Sequence, residues 1–247
     1  MLPLLLLLSL VPPSSYRQEI ERWRARQEVS LKADDGRLTV AGLFWLKEGS
    51  NEIDLPEDAP KFGTFELRSG KVTFHPAEGG APVEMRPDTS GRPATITRGA
   101  VSVFVIQRGQ RIGIRLKDKN SKLRREFNGR HWYPVKGEYR MEAKWVAYDP
   151  PKPIAIPNVL GDKSEEKAPG YAAFTLSGKE YRLEPLGEGG ELFFIFKDRT
   201  SGRETYGAGR FLYAAAPQDG TVILDFNKAV NPPCAFTPYA TCPLPPP

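Results

Sequence analysis

Histidine and cysteine are nearly absent from this 247-residue sequence, which holds only His75, His131, Cys234 and Cys242. Metal sites built from several histidines are thereby excluded. A site of two histidines and two cysteines is open by arithmetic, but the cysteines stand far from both histidines and their spacing fits no zinc-finger pattern. No metal and no cofactor is expected. The GxSxG nucleophile elbow, HExxH, the P-loop and GxGxxG are also missing, so no familiar catalytic signature identifies a reaction. Neither sign of charge dominates: 35 basic residues face 30 acidic ones, a net +5. No repeat of fixed period is visible.

Long apolar runs are lacking too. The most apolar stretch, Leu2 to Val11 within residues 1–15, is about half the roughly twenty residues that a membrane-spanning helix needs. It suits the apolar region of a secretory signal, with Pro12 and Pro13 ending the helix and Ser14 and Ser15 near the cleavage point, although the usual basic start is missing. The chain is therefore expected to be exported, to the periplasm or beyond. No transmembrane span is expected once the leader is removed. Two cysteines in an exported chain allow one disulfide, Cys234–Cys242, closing a loop of seven intervening residues. It would add only about 2–3 kcal/mol in the chain-entropy picture and would clip the C-terminal segment without framing the fold.

Glycine (23) and proline (24) are plentiful, proline at about twice its average usage. Proline cannot donate to a sheet ladder or sit inside a helix, so the chain should be cut into short elements joined by turns. One helix is expected over Tyr16 to Glu28, where Tyr16, Ile20 and Trp23 share a face. From Leu38 onward the hydrophobic period becomes two. Phe62–Leu67 and Val72–Phe74 flank Ser69-Gly70, Val101–Gln107 and Arg111–Leu116 flank Arg108-Gly109-Gln110, and Ala172–Leu176 and Glu180–Leu183 flank Ser177-Gly178. Each reads as a hairpin. Further strands are expected at Leu192–Phe196, Arg210–Tyr213 and Val222–Phe226. The proline- and charge-rich stretch from Asp149 to Gly170 reads as a long crossing loop. The expected fold is mainly β: an antiparallel barrel-like or sandwich domain over residues 16–247, with one N-terminal amphipathic helix.

Nine basic residues lie between Arg108 and Arg130. Without a nucleic-acid motif the patch reads as a solvated hairpin rim, and no nucleic-acid partner is expected. The densest polar constellation runs from Lys197 to Arg210. Asp198, Glu204, Tyr206 and Arg210 could converge on a ligand, or could form a network that fixes the turn. Asp225 and Asn227 follow, in a segment whose Asn, Asp and Pro are also turn formers. His131, in Gly129-Arg130-His131-Trp132-Tyr133-Pro134, is a candidate acid or base beside Glu204. Any function is expected between Asp198 and Cys242: binding or processing a small polar or anionic ligand. The alternative is a noncatalytic module that presents its C-terminal prolines to an envelope protein.

Gly42-Leu43-Phe44-Trp45-Leu46, the Arg115–Asn120 run, Trp132-Tyr133-Pro134, Phe196–Tyr213 and Leu224–Pro246 resemble a bacterial and archaeal family catalogued as domain of unknown function 1684. The resemblance implies a β-rich domain, commonly behind an export signal, and supplies no established activity. It also implies an asparagine-containing tail after the proline run, which this sequence does not include.

Overall fold

A computed structural model describes residues 13–57, 59–187 and 190–246. The leader expectation falls mostly on residues 1–12, outside that range. Helix α1 spans Pro13–Lys32. Pro13 opens it, as suits a residue with helical φ and no N–H, where a helix stop was expected. The Tyr16/Ile20/Trp23 face turns inward. Ile20 is fully buried, and Trp23 meets Trp132 edge-on at 5.8 Å.

The first half of the chain makes two four-stranded antiparallel sheets. One is ordered β1 (Val40–Trp45), β8 (Arg111–Asp118), β7 (Val101–Arg108), β6 (Thr95–Arg98). The other is ordered β2 (Gly49–Asn51), β3 (Gly63–Arg68), β4 (Lys71–Pro76), β5 (Val83–Met85). Alternation explains the packing between them. Val101, Val103, Val105 and Ile114 on one sheet meet Phe65, Phe74 and Met85 on the other in a single core. Burying each such side chain is worth about 1.5–3 kcal/mol. Ser69 and Gly70 both take positive φ in the β3–β4 turn, as do Ser177 and Gly178 in a later hairpin. That backbone matches strand twist, which is why these turns end on glycine.

The second half is a four-stranded sheet, β11 (Lys179–Leu183), β10 (Lys163–Leu176), β9 (Arg140–Pro157), β14 (Thr221–Asp225), packed on a ribbon of β12 (Glu191–Phe196) and β13 (Arg210–Ala215). Leu192, Phe194, Phe196, Leu212 and Ala214 face Phe174, Val222 and Leu224. Ile195 and Phe211, on the ribbon's other face, pack with Ile154, Ile156, Ala240 and Cys242. Both faces of the ribbon are covered, so Leu192 to Phe196 is apolar without a break. The sheets stay open, giving sandwich-like layers and no closed barrel. No helix among the described residues is long and apolar enough to cross a membrane.

Two expectations are corrected. Asp149 to Gly170 is not a crossing loop: it is the outer part of the β9–β10 hairpin, with Ile154 opposite Glu166 and Ile156 opposite Ser164. Strand β14 pairs only with Arg140–Lys144, so beyond that point β9 is an edge where prolines cost no ladder bond. The basic stretch is a solvated rim only in part: Lys119, Lys122 and Arg125 are exposed, but three of its arginines are engaged. Arg108 bonds Thr241 Oγ1 at 2.9 Å and pairs with Asp88, Arg111 pairs with Asp162, and Arg115 (6% exposed) donates to Tyr239 O at 3.0 Å. These arginines join the first sandwich to the C-terminal segment and the β9–β10 tip.

Candidate functional site

The seven residues expected to share a site fall into two groups and an outlier. Asp198 and Arg210 form an ion pair at the base of the turn between β12 and β13. Asp198 also accepts from the Thr200 backbone N–H at 2.9 Å, and Arg210 lies 5.1 Å over the Phe196 ring. Glu204 is exposed and accepts from the Tyr133 hydroxyl at 2.9 Å. Tyr206 is half-buried, its N–H 3.3 Å from Asn231 Oδ1. This group closes a turn. His131 is exposed and shares no hydrogen bond or ion pair with Glu204 among the described residues.

Burial opposes ionisation of Asp198, but the Thr200 hydroxyl and the Arg210 charge outweigh it and hold the carboxyl below the usual aspartate range. A carboxyl more acidic folded than unfolded stabilises the fold above its ordinary value near 4. That contribution is lost as pH falls through the folded value. Asp198→Asn should therefore lower the urea midpoint at about pH 6, and the gap to wild type should close by about pH 2. An equal gap at both would exclude the carboxylate charge as its source.

The second group is a buried network under α1. Asn227 (5% exposed) exchanges two bonds with Lys136, its Oδ1 accepting from Lys136 N–H at 3.0 Å and its Nδ2 donating to Lys136 O at 2.8 Å. Nδ2 also reaches the Tyr16 oxygen at 3.0 Å and Asp225 Oδ1 at 3.1 Å. The Tyr16 hydroxyl donates to Asp225 Oδ1 at 2.9 Å. Burial, then the Asp225 carboxylate, push that hydroxyl well above the ordinary tyrosine range. Arg24 of α1 completes the seam by donating to the carbonyls of Tyr133 and Asn227. Asp225 and Asn227 thus anchor the helix. Cys234 and Cys242 are both free thiols, not the expected disulfide, although each backbone N–H points at the other's sulfur, at 3.2 and 3.3 Å.

A cavity of about 330 Å³ opens elsewhere, between the C-terminal end of α1, the turn after it, Arg130, β13 and the C-terminal segment. Leu31, Phe211, Val230, Pro233 and Phe236 make its apolar wall. Arg37, Arg130, Asn231, Gln27 and Ser30 supply polar groups, and Asp35 lines the cavity with them. None of the seven expected residues lines it. Gly36 shapes it: its N–H bonds Ala33 O at 2.8 Å, and a Cβ there would sit 2.2 Å from Leu31 O, so only glycine lets the chain turn this tightly off α1.

Arg130 is the unusual group. Its guanidinium lies 5.5 Å from the Trp132 ring centre and 5.4 Å from that of Phe236. Nε and Nη1 are buried and have no hydrogen-bond partner. Glu28 accepts through Oε1 from the Trp132 indole N–H (3.0 Å) and the Arg130 backbone N–H (3.2 Å). Burial pulls the Arg130 guanidinium below its ordinary pKa, and Glu28 only partly offsets this. An arginine stays charged even so. Buried donors on a charged group without an acceptor are costly. Arg37, beside it, has no carboxylate at ion-pair distance among the described residues. No group of histidine, cysteine and carboxylate side chains that could hold a metal occurs among the described residues.

Sequence reading missed Arg37 and Arg130 as site residues. The available signal was Arg130 inside Gly129–Pro134 and Asn231 inside Asn231-Pro232-Pro233-Cys234, the two motifs that supply cavity walls.

No curated protein matches the chain. The solution NMR structure of an uncharacterized protein from Haloarcula marismortui is 28% identical, over 50% of this chain and 71% of that one, with a TM-score of 0.42. A family described as "Protein of unknown function (DUF1684)" matches residues 125–247, which include Arg130, β13 and the C-terminal wall of the cavity but leave Gly42–Leu46 outside. The match to that family's model is confined to residues 125–247, the C-terminal part of the chain.

Proposed function

We propose that this protein binds a small organic oxyanion, a carboxylate or phosphate ester, in the cavity between α1 and the C-terminal segment. The observation that carries this reading is the Arg130 guanidinium, held on two aromatic rings with two buried donors unpartnered. Arg37 adds a second positive charge, and Asn231 can accept from or donate to the ligand. The wall of Leu31, Phe211, Val230 and Phe236 suits a short hydrocarbon body. A volume of about 330 Å³ is at the small end of ligand pockets and holds about eleven waters at ~30 Å³ each, room for roughly ten heavy atoms. The ligand class is that expected from the sequence, but its place moves away from the Asp198–Arg210 turn. The apolar Leu2–Val11 run supports export as the setting in which the protein meets this ligand.

Titration calorimetry tests the reading. Phenyl phosphate and benzoate should bind saturably with Kd below about 1 mM, and their neutral counterparts phenol and benzamide at least about tenfold more weakly. Equal binding of charged and neutral probes would remove the arginines from recognition.

A further inference from the structure

We infer that Cys234 and Cys242 form a dithiol–disulfide couple, in which Cys234 engages an external small-molecule disulfide and Cys242 resolves the mixed disulfide. Nothing in this pairing depends on a ligand in the neighbouring cavity.

The two thiols are placed by the backbone. Cys234 sits half-buried on the single 3-10 turn Pro233–Ala235, which is closed by the bond from Phe236 N–H to Pro233 O at 2.9 Å. Cys242 is buried among Ile156, Ile195 and Ala240, and its carbonyl accepts from Val159 N–H at 3.1 Å on the β9–β10 tip. With both ends anchored, each backbone N–H donates to the other residue's sulfur, and the thiols bond to one another. Bringing the sulfurs together therefore asks for little further ordering.

Their environments differ in a useful sense. The Cys242 thiol and N–H both donate to Cys234 sulfur, and the buried Arg115 guanidinium is close by. Together these outweigh burial and bring the Cys234 thiol down to about 7. A thiol of that acidity is about half thiolate near neutral pH, the range in which attack on a disulfide is most effective. The Cys242 thiol moves the other way, first through its bond to Cys234, then through burial and the Cys234 charge. The more exposed sulfur is thus the nucleophile and the buried one is held in reserve.

In the first step the Cys234 thiolate attacks one sulfur of the small disulfide. A protein–small-molecule S–S bond forms, the original S–S bond breaks, and the departing thiolate takes up a proton. Cys234 then carries no negative charge and no longer accepts from Cys242, so two of the three influences that hold the Cys242 proton disappear. Cys242 gives that proton to solvent and its sulfur attacks Cys234, expelling the second small thiol. In total the protein loses two electrons and two protons, and the small disulfide becomes two thiols.

The test uses the full chain, purified reduced, with oxidised glutathione as oxidant at about pH 7. Mass spectrometry of the wild type should show the loss of roughly 2 Da, with no lasting glutathione adduct. Cys242→Ser should accumulate one adduct, at Cys234, and Cys234→Ser should react at least about tenfold more slowly. Iodoacetamide alkylation of the wild type, which needs no variant to fold, should be half-maximal near pH 7 rather than at the ordinary thiol value of about 8.5. A stable adduct on the wild type, equal rates in the two variants, an ordinary alkylation profile, or no oxidation while dithiothreitol is oxidised in parallel would each overturn the assignment.

Discussion

Methionine in place of Arg130 is expected to weaken phenyl phosphate binding by at least about 30-fold while leaving the free protein as stable as the wild type, or more stable. The affinity loss follows from removing a charge-assisted pair of bonds worth about 2 kcal/mol, which is a factor of about 30 in Kd. The stability sign follows from Nε and Nη1. In the free protein both are buried without an acceptor, so methionine removes their desolvation cost yet keeps a long side chain against Trp132 and Phe236. An arginine held for structural reasons behaves in the opposite way. Arg210, paired with Asp198 and lying over Phe196, should lose stability on the same substitution. Chemical denaturation and calorimetry on both variants separate the cases. If Arg130→Met is destabilised by more than about 1 kcal/mol and still binds, its role is packing and the cavity has no such ligand.

Replacing Asn227 with alanine should cost about 3–4 kcal/mol, the largest loss expected from any single polar substitution in the chain. Its Oδ1 accepts from Lys136 N–H, and the two hydrogens of its Nδ2 are shared among three acceptors within reach, Lys136 O, the Tyr16 oxygen and Asp225 Oδ1. Truncation would strand several of these groups in a buried site, where an unmet donor or acceptor costs about 1–3 kcal/mol and the terms do not add fully. Asp225 is already exposed to this penalty, since its Oδ2 has no hydrogen bond and the Lys228 ammonium stands 3.7 Å away. The damage should travel along α1. Tyr16 is tied to the network, and Gln27, Ser30 and Leu31, farther along the same helix, line the cavity. Guanidinium titration should show a midpoint shift at nearly unchanged m-value, together with weaker phenyl phosphate binding. A cost below about 1 kcal/mol would mean that the helix is held by its apolar face alone.

What could be read from the sequence was mostly what is local. The Ser69-Gly70 and Ser177-Gly178 turns carry positive φ, so their hairpins follow from turn chemistry and alternation within a dozen residues. The Tyr16, Ile20 and Trp23 face follows from helical spacing in the same way. The β9–β10 hairpin was hidden because its prolines signal a loop. They are tolerated only because β14 stops at Lys144 and leaves the outer strand an edge, a fact of tertiary pairing. The basic stretch was misread for a related reason: Thr241, Asp162 and Tyr239, which accept from Arg108, Arg111 and Arg115, lie roughly fifty to a hundred and thirty positions away. The cavity is less legible still. Its walls come from residues 27–37, Arg130, β13 and residues 230–236, and no spacing rule joins those segments. A cluster dense in sequence, Asp198 to Arg210, proved to be a turn braced by its own Asp198–Arg210 pair and by Tyr133 and Asn231 from outside it.

The central claim is the place where an organic oxyanion binds, and amide chemical-shift mapping of the 15N-labelled protein during a phenyl phosphate titration tests it most directly. The expected result is saturable shifts at Gly36, Arg37, Arg130 and Asn231, lost in Arg130→Met, with the Asp198–Arg210 turn unmoved. Shifts centred on that turn, or spread over the exposed basic residues without saturation, would contradict it.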